Sequence, residues 1–468
     1  MSAVAIEPSQ ARSVLDGFRA NPVRFVRDVL GGDPWPTSEA IMRAVAQPHA
    51  RVAVKACHAS SKTWSAAQVV LWWVATGGKC VTTAPTWTQV KVLLWSEIRK
   101  AYYGSRFPIG GKLNDTDLKL TDDVFALGLS TNEGVRFQGH HGARLLMVLD
   151  EAPGVKQPIW EAIEGARAGG DVRVLAQGNP MATGGPFYDA FAKDRSGWKT
   201  FTIDAFDTPN LAGVTLAAIR TMSDADLDKN ERPYLVTRRW VREKLDEWGE
   251  QSPLWEAKVR GAFPSQSDDS LIGVVWIEAA KRSELQPEPS DRIRAGLDVA
   301  GPGEDETVLY LRRGPRIVGF HSWHQADPRG EVVAALGVVR ESLETVNVDS
   351  AGIGHYMARH LADQGFPVVD VNAGSSPNDK ERFANLKAEM CWGLRDRFKG
   401  ETIAGLADEV TMSQLSTIRW FTKPSGQIAI ESKDDARKRG LKSPDRAEAL
   451  MLAFAPVSDK VYFGAFIG

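Results

Sequence analysis

A chain of 468 residues has room for two or three domains, and 43% hydrophobic with 25% charged residues are globular values that exclude a collagen, a coiled coil or wholesale disorder. Lys and Arg (57) against Asp and Glu (59) leave a net charge of -2, so any hold on nucleic acid must come from local basic patches. Three cysteines, Cys57, Cys80 and Cys391, include no C-x-x-C pair, which argues against a disulfide framework or a cysteine zinc site and for a reducing compartment. No signal-type segment opens the sequence. Its longest apolar stretch, Ala66 to Ala75, is interrupted by Gln68 and too short to span a bilayer, so neither secretion nor a membrane is expected.

In chain order, period predicts amphipathic helices over 11–30 and 38–47, a strand at Val52–Val54, a polar loop, a helix over Trp64–Thr76, a strand at Cys80–Thr83, and a helix over Thr88–Tyr102. Leu145–Leu149 and Arg173–Ala176 read as buried strands, so strand and helix alternate as in a parallel α/β sheet. Residues 212–260 are charged and helical in pattern, a candidate lid or linker subdomain. PSQSDDS and QPEPSD mark 266–290 as a linker, dividing a first domain (1–265) from a second (291–468). The second domain opens with a meander of strands at Ile293–Val299, Val308–Leu311 and Ile317–Trp323. A helix (Glu331–Leu343), a strand (Val346–Val348), a helix after Gly354, a strand (Val368–Val371), a long helix (Asp379–Phe398), a hairpin near Lys423–Gly426 and a last helix from Ser443 follow.

The loop after the first strand, Lys55-Ala56-Cys57-His58-Ala59-Ser60-Ser61-Lys62-Thr63, has the spacing of the phosphate-binding G-x-x-x-x-G-K-[ST], with Ala56 and Ser61 in place of both glycines. Such a loop aims backbone N–H groups at phosphate oxygens; Lys62 neutralises the β and γ phosphates of ATP and Thr63 binds Mg2+. Leu145 to Leu149 followed by Asp150 and Glu151 is the matching strand, with Asp150 for Mg2+ and Glu151 to polarise the attacking water, unless the two acids merely cap the next turn. Cys57 reads as a small residue of the loop, and His58, His140 and His141 as loop residues without metal-ligand spacing.

With Thr82-Thr83-Ala84-Pro85-Thr86-Trp87-Thr88-Gln89 and Gln177-Gly178-Asn179-Pro180 added, these motifs resemble those of the large terminase subunit of tailed bacteriophages. The resemblance implies an N-terminal P-loop ATPase domain of ASCE, RecA-like type followed by an RNase H-like nuclease domain. It makes Asn179 part of a γ-phosphate-sensing motif and places Trp35 where adenine is held, although Thr37 and Ser38 stand where the family carries Gln. An arginine finger is expected. Arg136 matches the family's position better than Arg144, and either could be an ordinary surface arginine.

Asp298 and Asp349 end short apolar runs, and Ser443-Pro444-Asp445 reads as an N-cap, a first-turn proline and an acid. By the resemblance these three form the nuclease triad, holding two Mg2+ or Mn2+ ions for phosphodiester cleavage, with Glu448 on the same helix face as an auxiliary ligand and Asp305 a weaker candidate. Arg437, Lys438, Arg439 and Lys442 are candidates to neutralise DNA phosphates, or else a solvated basic loop. The expected function is a viral packaging motor that hydrolyses ATP to drive double-stranded DNA into a procapsid and cuts concatemers. Its expected partners are the portal protein, a small terminase subunit and further copies in a ring, in the cytoplasm of the infected bacterium rather than in the mature virion. A helicase or remodelling ATPase, and a DNA-binding scaffold with a dead ATPase loop, are the alternatives.

Overall fold

The computed structural model of the protein describes residues 8–130, 142–250, 252–264, 269–300, 305–324, 327–350 and 354–456. The chain groups into two units, one formed by Met1–Leu245 and Trp255–Pro264, the other by Asp246–Leu254 and Ser265–Gly468.

In the first unit the described strands are β1 (Arg51–Ala56), β2 (Lys79–Ala84), β3 (Lys112–Leu113), β4 (Asp117–Lys119), β5 (Phe125–Ser130), β6 (Arg144–Leu149), β7 (Asp171–Gly178) and β8 (Lys199–Ile203). They form one sheet in the order β3-β4-β5-β2-β6-β7-β1-β8, parallel from β5 to β8. β1, β2, β6 and β7 are apolar on both faces and buried, as strands covered by helices on both sides must be. One strand, β7, separates β1 from β6, which is the ASCE arrangement. Lys55 pairs with Gly178 and Leu149 with Ala176, so the segments after β1, β6 and β7 leave the sheet at one carboxyl edge, where α/β sheets bind ligands. The helix Lys62–Ala75 starts at that edge and is buried on nearly every side, with Trp72 and Trp73 fully enclosed.

In the second unit β9 (Ile293–Asp298), β10 (Thr307–Arg313), β11 (Arg316–Trp323), β12 (Leu343–Asp349) and β13 (Val368–Val371) form a sheet ordered β11-β10-β9-β12-β13. The first three make an antiparallel meander and β12 and β13 run parallel to β9, the RNase H-like topology. The last helix, Asp445–Phe454, lies against β9 and β10. Gly296 permits that approach: a Cβ there would stand 2.2 Å from both the Ala449 carbonyl oxygen and the Ala453 nitrogen.

Several sequence expectations change. Residues 266–290 are not only a linker, because they contain the helix Val274–Arg282, whose Val274, Ile277 and Ala280 are buried. The helices over 212–260 do not form a single subdomain, since Asp246–Leu254 groups with the second unit. The helix expected over Glu331–Leu343 spans Arg329–Val338, and Leu343 already begins β12. The helix expected from Asp379 begins at Leu386, capped by Asn385, whose side-chain oxygen accepts the Ala388 N–H. Pro444, not Ser443, caps the last helix.

Candidate functional site

Two constellations, one in each unit, carry chemistry. In the first, Ala56 ends β1 and its carbonyl accepts a 2.6 Å hydrogen bond from Asn179 Nδ2, which ties the loop's start to the segment after β7. Cys57 donates its backbone N–H to Ile203 (2.8 Å), and burial pushes its thiol up to about 12, so it is an inert small residue. His58 donates its backbone N–H to Lys258 and sets its ring beside Trp240.

The loop makes its turn without glycine. Ala59 and Ser61 adopt φ of 47° and 61°, the left-handed region that usually demands glycine and costs an L-residue about 1–2 kcal/mol. Side-chain bonds hold Ser61 there: Trp35 Nε1 donates to its hydroxyl at 2.9 Å, and Ser38 Oγ lies 3.3 Å away, itself accepting from Ser65. Trp35 is therefore a buried support of the loop, 3% exposed, and not the wall of a base site that the resemblance implied.

Lys62 points its ammonium toward Asn179 Oδ1 (3.4 Å) and Glu151 Oε1 (3.5 Å). Burial opposes its charge, but Glu151 and Asp150 hold its proton more firmly than usual. Thr63 Oγ1 donates to Asp150 Oδ2 (3.3 Å) and Gln177 Nε2 to Asp150 Oδ1 (2.9 Å). Burial and the neighbouring Glu151 push Asp150 up to about 6. Glu151 itself sits at φ 49°, and Gly178 makes room for that turn, because a Cβ on it would meet Pro153 at 2.5 Å. Lys62, Thr63, Asp150, Glu151 and Asn179 are thus brought together, with Gln177 added. Arg136, His140 and His141 lie outside the described residues. Arg144 is no finger for this site: it starts β6, at the end of the strand away from Asp150, and its guanidinium is held by the Thr76 carbonyl (2.5 Å) and the Trp73 ring (4.1 Å).

In the second unit the pairing of Val348 with Leu297 sets Asp349 beside Asp298 at the ends of parallel neighbours β12 and β9. The last helix adds Glu448, and one carboxylate oxygen from each of the three lies within 4.8 Å of the others. Glu448, read from the sequence as auxiliary, is therefore a full member of the cluster. Asp445 sits one turn earlier, its carboxylate bonded by the Ser443 hydroxyl and by the Glu306 N–H (3.3 Å). Asp305 is exposed.

Two lysines that sequence reasoning missed neutralise this cluster. Lys387 Nζ lies 2.6 Å from Glu448 Oε1, and Lys433 Nζ 2.8 Å from Glu448 Oε2 and 3.7 Å from Asp445. Burial would raise Glu448, but Lys387 and Lys433 hold it below the ordinary carboxylate range. Asp298 is raised well above that range by burial and by Glu448. Arg446 anchors the helix start with a fork to Glu306 (2.5 and 3.0 Å) and a bond to Asp408 (2.9 Å). Converging hard oxygen donors around a buried acid with raised proton affinity fit Mg2+ or Mn2+, since a divalent cation relieves the charge that burial penalises.

The four basic candidates do not form a free patch. Arg439 is tied to Glu431 and the Thr417 carbonyl, Lys442 reaches the Asp246 carbonyl, and Arg437 and Lys438 pair with Asp434 and Asp435 of their own short helix.

No protein-family model matches the chain. A curated protein of Enterobacteria phage P7, described as "Probable terminase, large subunit", is 27% identical over 333 residues, covering 67% of this chain and 64% of that protein. The chain thus spans a little under two thirds of the length of the curated relative it matches. Among solved structures, the large terminase of a thermophilic bacteriophage aligns with 89% of this chain and 98% of its own at 10% identity and a TM-score of 0.41. The nuclease domain of the large terminase subunit of bacterial virus Sf6 aligns with 40% of this chain and 100% of its own at 16% identity and a TM-score of 0.35. By motif and by its curated relative, this chain is similar to the large terminase subunits of tailed phages.

Proposed function

We propose that the chain is a viral DNA-packaging enzyme: an ATPase that drives double-stranded DNA into a procapsid and a metal-dependent endonuclease that cuts concatemeric DNA. The observation that carries the reading is the coexistence in one chain of the Lys62, Thr63, Asp150 and Glu151 constellation on an ASCE sheet with the Asp298, Asp349 and Glu448 cluster on an RNase H-like sheet.

In the first unit the loop's N–H groups and Lys62 bind the phosphates of ATP, Thr63 and Asp150 hold its Mg2+, and Glu151 accepts a proton from the attacking water. Asn179, bonded to both Ala56 and Lys62, reports the γ-phosphate to the rest of the sheet, and Arg136 serves as the finger. In the second unit Asp298, Asp349 and Glu448, with Asp445 beside them, hold Mg2+ or Mn2+. Bound there, the metal supplies an activated water and charge stabilisation for the leaving oxygen. Lys387 fixes the Glu448 carboxylate, and Ser443 and Glu306 fix that of Asp445. Of the basic residues Arg437 and Lys438 are the ones that can turn to DNA, since exposed pairs of this kind are weak. The working partners are the portal protein, a small terminase subunit and further copies of this chain in the cytoplasm of the infected bacterium.

A helicase would need a second parallel RecA-like sheet, and the second unit has a meander in its place. The test is a matched pair of assays on the full chain, ATP turnover and cutting of supercoiled plasmid in Mn2+. Lys62→Ala is expected to lose turnover and keep cutting, and Asp298→Asn to do the reverse. Loss of neither activity in the respective variant would refute the reading.

A further inference from the structure

A cavity of about 770 Å3 opens on the phosphate loop, its wall including Lys62, Thr63, Val92, Leu93 and Tyr234. Tyr234 is 52% exposed, Val92 56% and Leu93 45%. An exposed aromatic face and two exposed aliphatic side chains around one space are the materials of a slot for a flat, weakly polar ring. Trp64, the other aromatic residue of the wall, is half-buried and packs over Gly32, where an added Cβ would lie 3.0 Å from its ring.

The segment carrying Tyr234 is fastened to the phosphate loop. Val236 donates its N–H to the Ala59 carbonyl (2.9 Å). Buried Asn210 accepts the Arg232 N–H (2.8 Å) and donates to the Arg232 and Val236 carbonyls (2.8 and 3.0 Å), closing 232–236 into a fixed strap. Arg232 then bonds the Tyr234 hydroxyl (2.5 Å) and the carbonyl (2.9 Å) and carboxylate (3.0 Å) of Asp33, another residue of the cavity wall. The ring is therefore held at its hydroxyl while about half of the residue stays exposed, so it loses little freedom when a ligand stacks on it.

We propose that Tyr234 is the base-stacking residue of the nucleotide site, with Val92 and Leu93 as the apolar side of the slot, so that a purine lies here when its phosphates occupy the loop. This rests on the nucleotide-binding reading of Lys62 and Thr63, and it gives the strap 232–236 the role that the sequence assigned to Trp35. Because an aromatic face accepts any base, stacking supplies affinity with little discrimination between adenine and guanine.

The experiment is calorimetric titration of the full-length protein with a non-hydrolysable ATP analogue, and separately with inorganic tripolyphosphate, both in Mg2+. Tyr234→Ala is expected to weaken the analogue ~5- to 100-fold, the range of a lost base stack, and to leave tripolyphosphate binding unchanged, while Tyr234→Phe binds the analogue within about threefold of the parent. Analogue binding by Tyr234→Ala at the parent's affinity overturns the assignment. So does an equal loss for both ligands, which would mean a collapsed loop and not a missing stack. If the unmodified protein binds neither ligand, the nucleotide-binding reading itself fails, a result distinct from either.

Discussion

The ammonium of Lys62 stands 3.5 Å from the carboxylate of Glu151, so the lysine proposed to bind phosphate is paired with the acid proposed to activate water. On that proposal ATP must break the pair to reach the lysine. Glu151→Gln removes the competitor together with the base. Its expected result is turnover lower by ~10² to 10⁴ with the ATP analogue bound as tightly as by the parent or tighter, read by steady-state hydrolysis and calorimetry. Unimpaired turnover would hand the base to another acid.

Asp150 gives a stability test. Burial and Glu151 raise its proton affinity on folding, to about 6. The folded chain therefore binds this proton more tightly than the unfolded chain does. The penalty for its charge is absent well below pH 4, grows between about pH 4 and 6, and is complete above that. Asp150→Asn should be the more stable protein at pH 8 by on the order of 2–3 kcal/mol in urea denaturation, and that advantage should vanish as pH falls to 4. An advantage that grows on acidification would contradict the assignment.

The elements that reveal themselves in sequence are those whose burial leaves an unbroken apolar run, such as Leu145–Leu149 of β6, or a lone polar end, such as Asp298 of β9. β8 (KTFTI) is half-exposed and its short run does not stand out, and β3 and β4 are too short to show a period. Asp379 looks like a helix start for a real reason: its carboxylate accepts the Arg382 N–H, but that turn does not propagate and Asn385 caps the helix that forms. Lys387 and Lys433 were unreadable as partners of Glu448, because nothing in a lysine's own neighbourhood tells which distant carboxylate it will meet.

The carboxylate cluster depends on how closely the last helix approaches β9. Gly296→Ala forces a Cβ into the backbone of Ala449 and Ala453 and moves Glu448 away from Asp298 and Asp349. The expected outcome is loss of plasmid cutting and of the rise in Tm that Mn2+ is expected to give the parent, with ATP turnover retained. A variant with an undiminished Mn2+ shift would show that the cluster tolerates the displacement. Asp298→Asn should also lose the shift, yet be more stable than the parent without metal, since it no longer buries that charge.

Ser61 offers a double-mutant cycle. Ser61→Gly relieves ~1–2 kcal/mol of backbone strain but leaves the buried Trp35 N–H without its acceptor, a loss of about 1–3 kcal/mol, so alone it should change stability little. Combined with Trp35→Phe it should recover the strain energy, and the coupling in urea denaturation should exceed about 0.5 kcal/mol. Additivity within that margin would mean that the indole bond does not hold Ser61.

The same contact decides which residues this loop can exchange singly. Trp35 and Ser38 give the Ser61 hydroxyl its berth and Ser65 fixes Ser38, so the four side chains hold one another as a unit. A glycine there suits the backbone better but strands the tryptophan N–H, so neither residue can be exchanged for benefit without the other. The turn is thus a property of four residues and not of one, and a loop of this shape built on glycine would have no use for the tryptophan N–H or for either serine.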